Sequence, residues 1–237
     1  MSLHRGGAVL LLAIGCAATA APASAVDDIG VASTVVNKVE GSVGGRTLRL
    51  GDKVHVDERI STGPASRSQL LFRDETVLTV GEASNVTLDR FVYDPARGAP
   101  SVTLSMTRGA LRFVSGNLPS QAYVIRTPAG AIGVRGTIFD LVVEEDGTTM
   151  LHLVEGAVDF RPRAGGAGAT RLDRRGASGL FGPDGKMLKL FDGLRLQDQR
   201  RLNAIRDQAA LGGAIEDDPA DLRRRRRIVP RPPQTSP

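Results

Sequence analysis

Between Val31 and Phe160 the apolar positions fall in short β-branched runs, cut by Gly, Asp, Asn or Pro at close intervals. This spacing predicts many strands joined by tight turns. The runs are Val35 to Val39, Thr47 to Leu50, Lys53 to His55, Ser68 to Phe72, Thr76 to Val80, Asn85 to Phe91, Ser101 to Thr107, Ala110 to Phe113, Tyr123 to Thr127, Thr137 to Glu144, Thr148 to Val154 and Ala157 to Phe160. Several alternate with the two-residue period of a half-buried strand. Leu70 and Phe72 are expected inward against Gln69, Leu71 and Arg73, and Leu111 and Phe113 inward around Arg112. One hairpin has a definable register. A loop of Glu145, Asp146 and Gly147, with Gly147 at positive φ, pairs Glu144 with Thr148, Leu141 with Leu151 and Phe139 with Leu153, so apolar meets apolar. A two-residue Asp146-Gly147 turn sets Asp140 against Leu153 and is disfavoured.

The fold class that follows is all-β: two packed antiparallel-type sheets, as a sandwich or a short solenoid of about twelve short strands, with one C-terminal helix and a disordered basic tail. Periodicity does not choose between sandwich and solenoid; two packed sheets are the preferred reading. The β domain is assigned to residues 26–162. Residues 163–193 begin with a Gly/Ala stretch and are expected to form a flexible surface excursion, with a possible hairpin around Pro183-Asp184-Gly185. A helix is expected over 194–212, where Leu202, Ile205 and Ala209 share a face, Asp198 interrupts its upstream end and Gly212 is a C-terminal stop. Residues 213–237, from Glu216-Asp217-Asp218-Pro219 into an Arg/Pro-rich end, are too poor in apolar groups to offset chain entropy and are expected to be disordered.

The N-terminus changes the picture of where this domain works. Met1 to Arg5 supply a positive charge, Ala8 to Ile14 are apolar, and Ala23-Ser24-Ala25 fits a signal-peptidase groove. Residues 1–25 therefore read as a Sec-type signal peptide cut between Ala25 and Val26, giving a periplasmic product of about 210 residues with no later span. The alternative is a membrane lipoprotein acylated at Cys16. Cys16 is the single cysteine, so simple cleavage leaves no disulfide, thiolate metal site or cysteine nucleophile. Aromatics make up only 4% of the chain and Trp is absent, which counts against sugar and single-stranded nucleic-acid platforms. The formal charge of +5 is more than accounted for by Arg5 and the tail arginines, Arg223 to Arg227 and Arg231, so the body between is slightly acidic.

The residues also carry a resemblance. Gly133-Val134-Arg135-Gly136-Thr137-Ile138-Phe139, followed by Glu155-Gly156-Ala157-Val158, resembles the VRGTxF segment and its sequel in the FecR domain family. Leu50-Gly51-Asp52, Ile60-Ser61-Thr62, Leu70 to Asp74, Leu78-Thr79-Val80 and Arg108 to Leu111 fall in the family's order. The resemblance implies a β-rich periplasmic module used for protein contact or sensing. Two departures stand out. Glu75 replaces a family glycine, so that turn is expected to avoid a left-handed residue there. Only seven residues precede the apolar stretch, so the family's cytoplasmic sigma-regulator role is not carried over.

No catalytic, cofactor or metal residues are assigned. His55 and His152 lie in no metal-spaced or nucleophile-spaced motif, and the alternation puts His152 on the outer face of its strand. Gly133, Val134, Arg135, Gly136, Thr137, Phe139 and Gly156 are the family-motif candidates. Arg135 is expected to pair within its own domain rather than grip a ligand carboxylate or phosphate. Gly133 and Gly136 are read as backbone necessities. Arg223, Arg224, Arg225, Arg226 and Arg227 are candidates for contact with an anionic surface, against a solvated tail. The leading expectation is an exported interaction or signalling module with a protein partner and no nucleic acid, binding through an open sheet face or edge. The rivals are a structural envelope protein tethered by Cys16 or the tail and, last, an enzyme acting on glycan or peptide.

Overall fold

Most of the expected strands form, and three of them are far longer than the runs suggest; the run Val35 to Val39 is instead broken by a turn at Asn37, φ 58°, and of Thr47 to Leu50 only Thr47 lies in a strand. The computed structural model describes residues 27–93, 98–163 and 168–211. In chain order the strands are β1 (Asp28–Val36), β2 (Val39–Gly41), β3 (Arg46–Thr47), β4 (Lys53–His55), β5 (Arg59–Thr62), β6 (Arg67–Phe72), β7 (Val77–Val80), β8 (Asn85–Val92), β9 (Ser101–Val114), β10 (Tyr123–Arg126), β11 (Gly130–Val143), β12 (Thr149–Pro162), β13 (Thr170–Leu172), β14 (Ala177–Phe181) and β15 (Met187–Asp192). One α-helix is found among the described residues, α1 (Leu196–Leu211), after the strands. The all-β class with a C-terminal helix is what the alternation predicts. Its two expected layers are joined: among the described residues the strands make one fifteen-stranded hydrogen-bonded sheet, mixed because β9 and β10 run parallel.

The long strands explain how one sheet surrounds one core. The first half of β9 pairs with β8 and β10, and its second half with β7 and β11. Gly109, at φ 103°, lies between the halves. Likewise β11 pairs with β10 before Gly136 (φ 62°) and with β9 after it, while β12 turns at Gly156 (φ 88°). At each glycine the inward phase slips by one residue. Core residues run Val102, Leu104, Met106 and then Leu111, Phe113 in β9; Ile132, Val134 and then Phe139, Leu141, Val143 in β11; Leu151, Leu153 and then Val158, Phe160 in β12. The extra residue of a bulge lets the strand bend while its apolar set stays on the core side. Gly109 and Gly156, read from the sequence as gaps between strands, are bends within them.

The β11–β12 hairpin has the register argued above, with Phe139 opposite Leu153, Leu141 opposite Leu151 and Gly147 at φ 85°. Aromatics fill the core where halves meet: Phe113 stacks on Phe139 at 5.4 Å and edges Tyr123 at 5.7 Å, and Phe160 stacks on Phe181. In residues 170–192 the hairpin expected around Pro183-Asp184-Gly185 forms between β14 and β15, but the segment is no surface excursion, since it extends the sheet through β13, β14 and β15. The apolar alternation of Ala177, Gly179 and Phe181 faces the core, which is why this segment is recruited. Helix α1 buries Leu202 and Ile205 against Ala110, Val142 and Met150 on the outer face of β9, β11 and β12. Its Asp198, the interruption in the apolar face, is fully buried and paired with Arg195 at 2.5 Å.

Candidate interaction site

The family-motif residues build a corner. Val134 and Phe139 are core anchors on either side of the phase slip. Thr137, buried between them, donates from Oγ1 to the Ala157 carbonyl at 2.8 Å and accepts from the Arg135 amide at 3.1 Å. Its own amide donates to Ser115 Oγ at 3.0 Å. A Cβ on Gly156 would lie 2.4 Å from the Gly136 carbonyl oxygen, so Gly156 is required by backbone approach as well as by φ, whereas Gly136 is required by its φ of 62° alone. Gly133 differs: its φ is ordinary, and a Cβ there would meet only the Asp159 carbonyl at 3.8 Å. It is not a backbone necessity; it leaves the outer face of β11 flat. Arg135, 45% exposed, pairs with Asp159 at 2.8 Å.

Beyond the corner the outer face carries a polar network under α1. Asp140, fully buried, receives Arg112 Nε at 2.8 Å and Arg206 Nη2 at 2.7 Å. Opposite it, His152 Nδ1 contacts Ser178 Oγ at 2.8 Å. His152 does point away from the core, yet it is buried, because the helix and β14 cover that face. Burial holds its pKa below the ordinary histidine value; Asp140 opposes this, and Arg206 and Arg112 add to it. A Ser, a His and an Asp thus meet here, but in the wrong sense for nucleophilic attack. Ser178 donates its proton to the Gly193 carbonyl at 2.5 Å, so its oxygen accepts from His152 Nδ1, the reverse of a base activating a hydroxyl. With Asp140 committed to two arginines, the network fastens α1 to the sheet.

The two ends of the sheet contrast sharply. At one, β4 has three residues, and its Lys53 is paired to Asp28. At the other, β15 is six residues long and hydrogen-bonds only to β14 among the described residues. Met187, Leu188 and Leu190 are 48%, 60% and 51% exposed. Leu190 lies beside Gly179, which has no side chain to cover it, and a register shift between Leu180 and Phe181 pushes Leu188 outward. Lys189, over the Phe191 ring at 5.7 Å, is the strand's single positive charge. Natural edges are short, charged or covered. This one is neither short nor covered among the described residues, its charges being Lys189 and the terminal Asp192, and the backbone groups on its unpaired side lie among mostly apolar side chains as strand addition requires.

The structure therefore gathers the motif residues at one corner and leaves Arg135 on the surface. Ala25 and Val26 at the expected cleavage point, together with Cys16 and Arg223 to Arg227, lie outside the described residues. The sequence offered a hairpin around Pro183-Asp184-Gly185, but the preceding Gly/Ala stretch made the region look unpackable, so the second strand of that hairpin was not read as an edge of the main sheet. The signal was present in Met187-Leu-Lys-Leu-Phe191, an apolar run directly after Pro183-Asp184-Gly185. Among the described residues no three His, Cys, Asp or Glu side chains group as a metal site would need.

Residues 58–159 match the family model described as FecR protein. Two crystal structures of a candidate anti-sigma factor from Parabacteroides distasonis ATCC 8503 are similar. One, at 2.50 Å resolution, is 17% identical with a TM-score of 0.46; the other, at 1.65 Å, is 16% identical with a TM-score of 0.45. Each alignment covers 57% of this chain and 59% of the other, so the likeness spans less than two thirds of those proteins. No curated relative matches the sequence.

Proposed function

Since residues 58–159 are a FecR domain, we propose that this chain is an exported signalling or sensing module that acts by holding a protein partner, without turnover, and that the partner adds a strand to β15. The observation that carries this reading is the exposed apolar edge: Leu188 and Leu190 stand half out of the surface on a strand with one unpaired side among the described residues. Main-chain hydrogen bonds supply affinity in such pairings, and pockets for alternate side chains supply specificity. The signal-like N-terminus, with Ala23-Ser24-Ala25 before Val26, supports a periplasmic setting. The regulatory character of FecR domains supports signalling over catalysis, and the Ser178–His152 polarity agrees with it.

Crosslinking capture from intact envelopes tests the proposal. The full chain is expected to recover one defined protein, and a Leu188→Lys/Leu190→Lys chain to lose it while keeping its melting temperature, because both side chains are exposed. Equal recovery by both chains overturns the edge. Loss of capture on replacing Arg223 to Arg227 with Gln, with the edge intact, transfers the function to the tail.

A further inference from the structure

The outer face that α1 covers at one end is uncovered by described residues at the other, and there it carries a row of arginines. Cross-strand pairing sets Ser105 of β9 beside Arg126 of β10, Arg126 beside Ala131 of β11, and Ala131 beside Arg161 of β12. The adjoining row, Leu104, Ile125, Ile132 and Phe160, is buried, so the arginine row faces solvent. Arg163 follows Arg161 by two residues on the same side, and its backbone amide is tied to the Ala129 carbonyl at 3.1 Å. These residues line a cleft of about 540 Å³ that has no acidic side chain in its lining among the described residues, although Asp89 accepts a hydrogen bond from the lining Ser105 Oγ at 2.6 Å. None of the three guanidinium groups forms a hydrogen bond or ion pair with a described residue, in contrast to Arg112, Arg135, Arg174, Arg195, Arg201 and Arg206.

The spacing of these charges selects the ligand. Adjacent strands lie about 4.8 Å apart, so Arg126 and Arg161 are rooted about 10 Å apart, with only the Ala131 methyl group between them. Arg163 lies one residue beyond the end of β12, two residues on from Arg161, a step of up to about 7 Å in extended chain. A single phosphate is too small to engage all three. An extended peptide with acidic residues at alternate positions repeats its carboxylates at about 7 Å on one face, and so matches the Arg161–Arg163 step. A guanidinium group also suits the planar carboxylate. We propose that this cleft binds an acidic, extended segment of a partner protein, with Arg126, Arg161 and Arg163 as the charge-reading residues and Ala131 as the floor. The site is separate from the β15 edge and does not depend on it.

The test uses the full chain with Arg223, Arg224, Arg225, Arg226 and Arg227 each replaced by Gln, so that the tail cannot compete. The probe is a fluorescein-labelled Glu-Ser-Glu-Ser-Glu-Ser-Glu peptide, read by anisotropy in low salt. Arg126→Ala and Arg161→Ala are each expected to weaken binding by about tenfold. Ala131→Glu, which keeps every arginine but fills the notch with a carboxylate, is expected to abolish it. A peptide with its four glutamates in one block should bind several-fold more weakly. Unchanged melting temperatures show that the variants are folded. Equal binding by parent and variants overturns the proposal. So does displacement of the peptide by inorganic phosphate or phosphatidylglycerol vesicles at matched charge, which would make this a phosphate or lipid site.

Discussion

Glu75 adopts φ 67°, a left-handed conformation that a side chain with a Cβ resists. The glycine-free turn was expected to avoid it. It does not, because Asp74 fixes the turn from both sides. Asp74 Oδ1 accepts the Thr76 amide at 3.1 Å, and Oδ2 accepts Thr76 Oγ1 at 2.6 Å and Tyr123 Oη at 2.8 Å. Tyr123 is buried enough that its pKa is pushed up to about 12, with desolvation as the main cause. The residue that holds this turn is thus remote in sequence, and no local pattern around Glu75 reveals it. The strain remains in the fold, so Glu75→Gly is expected to raise stability by about 1 kcal/mol. Gly156→Ala should lower it by about 2 kcal/mol or more, since φ is 88° and the new Cβ would collide with the Gly136 carbonyl. Urea denaturation midpoints read both, and the opposite signs are the point of the pair.

Among the elements, what was legible was the alternation. It placed Leu70, Phe72, Leu111 and Phe113 inward and fixed the register of the β11–β12 hairpin. It also contained the bends, as a one-residue phase slip across Gly109, Gly136 and Gly156, although a glycine between two apolar runs reads more simply as a break. Which outer faces would be covered was not legible. His152 and Arg112 have the pattern of exposed residues, and it is the docking of α1, together with β14 beside His152, that buries them. That docking has a pH signature. Because the folded-state pKa of His152 is lowered, the unfolded chain binds a proton more readily than the folded one. Its contribution is constant above the ordinary pKa of about 6.5 and declines as pH falls from there towards the folded value. The charged groups facing His152, namely Asp140 from β11, Arg112 from β9 and Arg206 from α1, are already paired and do not absorb the new charge. Melting temperature is therefore expected to drop between pH 7 and pH 5.5, and His152→Gln to flatten that drop. An identical decline in the variant would place the proton elsewhere.

At the scale of the whole molecule, one sheet bent at three glycines produces two unequal ends and one half-covered face. The blunt end, β4, is short and charged; the open end, β15, is long and apolar. The face under α1 is sealed by the Asp140 network, and its far half shows Arg126 and Arg161 around Ala131. The arginine face was not visible to sequence reasoning, because Arg126 and Arg161 are brought together by pairing strands apart in the chain, whereas the β15 edge belongs to a local hairpin whose apolar run the sequence shows. The VRGT segment, the most recognisable stretch of the sequence, serves instead to turn the corner that places these surfaces. The measurement that tests the β15 interaction most directly is photo-crosslinking in intact cells, with the photoreactive side chain placed at Leu190 and, in a separate chain, at Leu71, which is 41% exposed on another part of the sheet. The account predicts one defined protein adduct from position 190 and none from position 71. Adducts of equal yield from both positions, or an adduct from position 71 alone, would contradict it.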